Sequence, residues 1–254
     1  MPRELRRLLI TPGRCAELIE LTSEERHYLQ RVLRLRDGDP FAVVDGAGHL
    51  WQAVLQQGQA HLSSPLERPD ASQPPPRPRL RLAVALPRRD GDVLLRMATE
   101  LGIDQLQPLQ SERSVQERWN RQRSVAIVRE AMEQCERLWL PELADPAPVS
   151  TWLAGLQGPC FWATTRQQDL PRLAALLAPL MSADWVAAES VTVGSVTVAI
   201  GPEGGWSPAE EELAANHGCR PVQLGATILR CSTAAVAAAT LLCSWRSGLD
   251  EPAA

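Results

Sequence analysis

Val196-Thr197-Val198-Ala199-Ile200-Gly201-Pro202-Glu203-Gly204-Gly205-Trp206-Ser207-Pro208-Ala209-Glu210 is the stretch on which the fold turns. Its first five residues are apolar or β-branched and read as a short buried strand. Three glycines and a proline then form a tight loop, where backbone can approach a ligand closely and reach positive φ. Ser207 stands at an N-cap, Pro208 at the first helical position, and Glu210 completes a capping box. Strand, glycine loop and helix in that order are the unit of a parallel α/β sheet, whose ligands bind beyond the carboxyl ends of the strands. The glycines are not spaced G-x-G-x-x-G, which disfavours a dinucleotide fold. An ordinary turn before a capped helix is the plainer alternative.

The same alternation extends on both sides. Strands are predicted at 80–86, 106–109, 160–163 and 221–224. Helices are predicted at 92–101, 119–137, 170–180, 207–218 and 234–242. In the first helix Val93, Met97 and Leu101 recur at four-residue steps, and Gly102 suits its exit. Residues 63–79, SSPLERPDASQPPPRPR, are proline-dense and poor in apolar side chains, so they read as a linker or an extended crossing segment. The division expected is a small unit over 1–72 and a larger α/β unit over 78–254. The small unit opens on an apolar-basic stretch, 6–10. Thr22 to Glu25 is a second capping box, followed by a helix with Leu29, Val32 and Leu33 on one face. Strands at 41–44 and 50–55 flank Asp45-Gly46, a hairpin signal. One helix among short strands suggests a small β-barrel.

Composition excludes several classes. Six scattered cysteines, none at C-x-x-C spacing, disfavour a zinc or thioredoxin-like site, and the four histidines make no ligand pattern; no metal is expected. No apolar run is long enough to span a membrane, and the first residues lack a secretory signal's apolar stretch, so a cytoplasmic protein is expected. All 26 basic residues are arginine, which rules out catalysis by a lysine amine and a Walker A loop. The net charge of −4 argues against nonspecific coating of nucleic acid.

A second loop, Leu224-Gly225-Ala226-Thr227-Ile228-Leu229-Arg230-Cys231-Ser232-Thr233-Ala234, again joins a strand to a helix. Apolar Ile228 and Leu229 call for burial, and the adjacent Arg230 calls for a partner, either a structural acid or a ligand.

GPEGGWSPAE and LGATILRCSTA together resemble the signature of the RsmE family of 16S rRNA (uridine-N3) methyltransferases. Further segments agree in order: the R-V-L-R run at 31–34, the A-T-E-L-G run at 98–102, Glu112-Arg113-Ser114, and Glu130-Ala131 with Glu133-Gln134. The likeness runs from about residue 10 to 242. It implies a PUA-like barrel followed by a SPOUT α/β domain whose C-terminal chain forms a trefoil knot. It also implies S-adenosylmethionine held by the two loops, a homodimer, and the small ribosomal subunit's 16S rRNA as partner. The cofactor set implied is Gly201, Pro202, Glu203, Gly204, Gly205, Leu224, Gly225, Ile228, Leu229, Arg230, Thr233 and Ala234. The chain departs from the family's L-G-P-R at Ala226-Thr227 and from its I-L-R-T-E-T-A at Cys231-Ser232.

Methyl transfer to uracil N3 requires loss of the N3 proton and leaves an anion spread over O2 and O4. Arg230 is the expected cation beside it. Glu203 either accepts the proton or, the favoured reading, braces its own loop. Arg31, Arg34 and Arg36 in the small unit, and Arg88, Arg89 and Arg113 in the large one, are the candidate RNA contacts, with solvated surface charge the alternative for each. Two other readings stand beside this one: a SPOUT methyltransferase for another RNA site, and a non-catalytic RNA-binding ribosome assembly factor. A protein of that last kind would not bind S-adenosylmethionine.

Overall fold

The computed structural model describes residues 5–114, 119–165, 167, 169–181 and 194–250. The chain folds as two compact units: Met1–Pro75 with Arg129–Leu140, and Pro76–Val128 with Pro141–Ala254.

In the first unit, β1 (Arg7–Leu9), β2 (Leu18–Glu20), β3 (Pro40–Val44), β4 (His49–Gln56), β5 (Gln59–Leu62) and β6 (Ala71–Ser72) form one sheet. The order is β1-β3-β4-β5-β2, with β6 on β4. The β1–β3 pair is parallel and the others antiparallel. Period-two alternation sends Trp51, Ala53 and Leu55 of β4 inward and Gln52 and Gln56 outward. The hairpin at Asp45-Gly46 forms, and the Asp45 carboxylate accepts from the N–H groups of Ala47 (2.7 Å) and His49 (3.0 Å). Gly48, at φ +101°, is obligatory: a Cβ there would lie 2.5 Å from the Gln73 carbonyl.

Two expectations need correction here. The Thr22 capping box forms and starts α1 (Ser23–His27), but the helix then widens into a π-turn over Tyr28–Val32. The wider turn shifts the inward face, so Leu29 is buried while Val32 is 59% exposed. The proline-rich segment is also less of a free linker than its composition suggests. Ser63 donates to the Gln52 carbonyl, Asp70 accepts from the Gln52 N–H, and β6 pairs with β4.

Edge strand β1 is closed by side chains rather than by another strand. Glu133 accepts from the Leu9 N–H at 2.7 Å, and Arg129 donates to the Leu9 carbonyl at 2.9 Å. Met132 and Leu138 pack beside them on Leu9 and Val44. The Glu130–Gln134 motif thus satisfies an exposed strand edge.

The second unit is a parallel sheet. Its strands are β7 (Arg79–Val84), β8 (Gln105–Gln110), β9 (Glu142–Leu143), β10 (Ala147–Pro148), β11 (Cys160–Ala163), β12 (Ser195–Ile200) and β13 (Arg220–Val222). The order is β10-β8-β7-β12-β11-β13, with β9 on β8. The described helices are α2 (Gly91–Leu101), α3 (Arg121–Gln134), α4 (Val149–Ala154), α5 (Leu173–Leu177), α6 (Pro208–Asn216) and α7 (Cys231–Asp250). Every residue of the central β12 is buried, as a parallel strand covered on both faces requires. α2 buries Leu94, Leu95, Ala98 and Thr99, which turns Val93 outward to 40% exposure against expectation. Four-residue steps drift about 40° each around a helix, so the buried face lies one position further along. Arg246 of α7 pairs with buried Asp104, which also accepts from the Leu80 N–H at 2.8 Å.

Burial raises the Glu133 carboxyl; the Leu9 N–H and Arg129 counter it only in part. The fold therefore favours protonated Glu133. That contribution is present below the unfolded-state pKa and is lost as pH rises through the folded-state value. Glu133→Gln keeps an acceptor and does not titrate. Its Tm relative to wild type should rise from about pH 3.5 to about pH 7; a constant or falling difference contradicts this reading.

Candidate functional site

Three neighbouring strands, β12, β11 and β13, deliver their carboxyl ends to one place. A cavity of about 470 Å³ lies there, lined by residues 163–165 at the end of β11, 200–203 with 205 and 206 at the end of β12, and 223–229 after β13. That volume falls in the roughly 300–1,000 Å³ range of small-molecule sites.

Trp206 organises the site. Its ring stacks on Trp162 of β11 with centroids 3.9 Å apart, and its Nε1–H donates to the Ala163 carbonyl at 2.9 Å. Gly201 lies against the same ring: a Cβ there would come within 2.9 Å of it. The loop also closes on itself, with the Gly205 N–H donating to the Pro202 carbonyl at 2.8 Å and Gly205 at φ +69°. The Ser207–Glu210 capping box is present, and buried Glu210 does more than cap. It accepts from Ser111 Oγ (3.1 Å) and the Glu112 N–H (3.0 Å), tying the segment after β8 to α6.

A smaller cavity of about 250 Å³ adjoins the first. Pro87, Arg88, Arg89 and Asp90 after β7 line it, with Glu203, Arg230, Cys231 and Ser232. Glu203 and Cys231 line both cavities. Strand β12 sits between β7 and β11, so this is the point where the sheet's winding direction changes, the usual ligand position in such folds.

The RNA methyltransferase domain description matches residues 74–243, and the RNA methyltransferase PUA domain description matches 21–61. A Synechocystis protein named ribosomal RNA small subunit methyltransferase E is 38% identical over 240 residues, spanning 90% of this chain and 74% of that protein. The chain belongs to the ribosomal RNA small subunit methyltransferase E family. A Rickettsia conorii protein of the same name is 31% identical, over 87% of each chain. Two solved structures share the fold. The Neisseria gonorrhoeae ribosomal RNA small subunit methyltransferase E bound to S-adenosyl methionine gives a TM-score of 0.77 at 22% identity, covering 94% of this chain and 97% of its own. A Legionella pneumophila putative methyltransferase in complex with S-adenosylmethionine gives 0.76 at 24%, with the same coverage.

In this methyltransferase, Gly201, Pro202, Glu203, Gly205, Leu224, Gly225, Ile228, Leu229 and Ala234 line the larger cavity as grouped from sequence. Gly204, Arg230 and Thr233 do not. Gly204 backs onto Arg113, Arg230 faces the smaller cavity, and Thr233 lies on the exposed side of α7. Ile228 is not buried by the protein; it stands 82% exposed at the rim. Arg230 is exposed, and among the described residues it has no acid partner, which removes the structural ion-pair reading. Glu203 is exposed too and bonds to no backbone among the described residues, so it does not brace its loop.

Arg113 does that bracing instead. Its guanidinium donates to the carbonyls of Gly204 (3.3 Å) and Trp206 (2.9 Å), so it stabilises the loop rather than standing as a solvated RNA contact. Arg88 and Arg89 reach the smaller cavity, and Arg31, Arg34 and Arg36 lie exposed on the first unit. Cys231, one of the departures from the family pattern, donates Sγ–H to the Ala85 carbonyl at 3.3 Å. Burial, then the Glu203 charge, pushes its thiol up to about 12, so it is a neutral donor at neutral pH. Sequence reasoning assigned no role to Trp206, Thr164 or Gln223, and saw in Glu210 only its part in the capping box. The one local signal was a tryptophan inside a glycine loop, where a large apolar ring needs a packing partner. Among the described residues no helix is long and apolar enough to cross a membrane, and no cluster of three or more metal-ligating side chains occurs.

The fit of Trp206 against Gly201 predicts a specific coupling. Gly201→Ala should destabilise by about 1–3 kcal/mol through overpacking. In a Trp206→Phe background the smaller ring leaves room, so the double variant should cost less than the sum of the two singles by at least about 0.5 kcal/mol. Urea unfolding of all four proteins measures this, and strict additivity contradicts it.

Proposed function

We propose that this enzyme transfers a methyl group from S-adenosylmethionine to N3 of a uridine in the 16S rRNA of the small ribosomal subunit. The observation that carries this is the junction at Glu203 and Cys231, where the larger cavity opens onto the cationic smaller one. The larger cavity suits the cofactor chemically. Backbone-exposing glycines (Gly201, Gly205, Gly225) offer polar main chain to an adenosine and a carboxylate. Leu224, Leu229 and Ala234 offer apolar surface to an adenine ring. S-adenosylmethionine would supply the methyl group and its sulfonium leaving group. The names of the relatives supply the rRNA substrate, and the family resemblance supplies uridine N3.

The chain's own residues then do two things. The smaller cavity holds Arg88, Arg89 and Arg230 against Glu203 and Asp90, a net positive lining. Such a lining stabilises the anion on uracil O2 and O4 once N3 has lost its proton. Arg230, unpaired among the described residues, would do this. Glu203, bound to nothing else among them, would take the N3 proton, directly or through water. The same reading carries the cofactor set named above, the PUA-like and methyltransferase division at 1–72 and 78–254, the knotted C-terminal thread, the homodimer and a cytoplasmic location. Arg31, Arg34, Arg36, Arg88 and Arg89 serve as RNA contacts.

Arg230→Ala should lower turnover on small subunits by about 100-fold or more. S-adenosylmethionine affinity by calorimetry should stay within about threefold, because Arg230 does not line the cofactor cavity. Formation of 3-methyluridine, read by nucleoside mass spectrometry, reports the product. Unchanged turnover, or no heat from S-adenosylmethionine, overturns the proposal.

Removing Arg31, Arg34 and Arg36 together should flatten the dependence of log K on log salt for RNA binding by about 2 to 3. An unchanged slope removes the three from the phosphate-contacting set.

A further inference from the structure

A third cavity in the second unit is used by nothing above. It has a volume of about 620 Å³ and lies at the carboxyl ends of β7 and β8, with Trp119 and Asn120, just before α3, in its lining. It adjoins the proposed transfer site: Pro87, Arg88 and Asp90 line both it and the 250 Å³ cavity that holds Arg230 and Glu203. Three cavities therefore abut in a row, cofactor, transfer and this one.

We infer that this cavity takes the nucleotide next to the methylated one, with its base stacked on Trp119. Three observations carry this. First, Trp119 is the one aromatic side chain among the described residues that line the cavity, and it is only half-buried, so it is the surface on which a base would stack. Second, Asn120 uses its carbonyl oxygen to cap α3 through the Arg123 N–H at 3.0 Å. Its NH₂ is left as a donor beside Trp119 in the same lining. A donor beside an aromatic side chain matches a base carrying a carbonyl acceptor. Third, the charged lining is balanced, Arg88 and Arg123 against Asp90 and Asp92, and Arg123 is paired with Asp92. A phosphate site would show an excess of cations. A neutral base and its sugar fit this lining better, and base–aromatic stacking tolerates the absence of charge.

This rests on the proposed function for the identity of the neighbouring transfer site, so the test separates the two. Binding and methylation of small subunits lacking the modification are measured for wild type, Trp119→Ala, Trp119→Phe and Asn120→Ala, together with calorimetry on S-adenosylmethionine. Trp119→Ala should raise the Kd and KM for subunits roughly 5- to 100-fold, the range of one lost base stack. kcat and S-adenosylmethionine affinity should change less than about threefold. Trp119→Phe keeps a stacking face and should recover most of the loss. Asn120→Ala should raise KM in the same direction by a smaller factor. Unchanged subunit binding in Trp119→Ala overturns the inference. So does a parallel loss of S-adenosylmethionine affinity that Phe does not rescue, since that marks a purely structural role. Because the binding arm needs no turnover, it reads this cavity even if wild type makes no 3-methyluridine, an outcome that would overturn only the proposed function.

Discussion

The stack of Trp206 on Trp162 holds the rest of the site in place. Gly201 closes over that ring, the ring's N–H fixes the end of β11, and the Trp206 carbonyl is held by Arg113. One side chain thereby sets the position of two of the three strand ends that bound the larger cavity. A loop of three glycines and a proline would otherwise carry a high conformational entropy. Packing it on a rigid aromatic pair restricts that freedom without filling the cavity. Glu210 adds the connection to β8, because one buried carboxylate serves Ser207, Ser111 and the Glu112 N–H together.

Electrostatics divide along the same lines. The arginines fall into three settings: structural (Arg113 on loop carbonyls, Arg246 on Asp104, Arg129 on Leu9), paired at the surface, and lining the transfer cavity. Within the last group Arg230 has no acid partner among the described residues and suits a substrate anion, since a guanidinium already spent on a backbone carbonyl or an acid has little left to offer. Cys231 fits this division. Its neutral thiol beside Glu203 adds no competing charge, and its bond to Ala85 ties the start of α7 to the end of β7.

Much of the second unit was legible because its signals are local. The strand at 196–200, the capping box at Ser207 and Glu210, and the run into α7 each depend on residues within one turn or one pleat. Strand order was not legible, since placing β12 beside β7 depends on contacts more than a hundred residues apart. The site showed the same split. Gly201, Gly205, Gly225, Leu224, Leu229 and Ala234 were grouped from the loops that carry them, and they line one cavity, while Gly204 of the same loop turns away from it. Arg113 was grouped with the RNA contacts because an arginine beside Ser and Glu looks the same whether it faces solvent or a loop carbonyl. Ile228 was expected to be buried, yet it stands exposed at the rim. Glu133 and Arg129 read as part of a family motif, but their work on β1 depends on an edge strand far away in sequence.

The central claim is that the loops at 201–206 and 223–229 close around one cofactor. A crystal structure of the protein grown with S-adenosylmethionine tests it most directly. The account predicts density for one cofactor per chain, touching Gly201 or Gly205 on one side and Leu224 or Leu229 on the other, with the Trp206 ring in place. Density elsewhere, or contact with only one of the two loops, would contradict it.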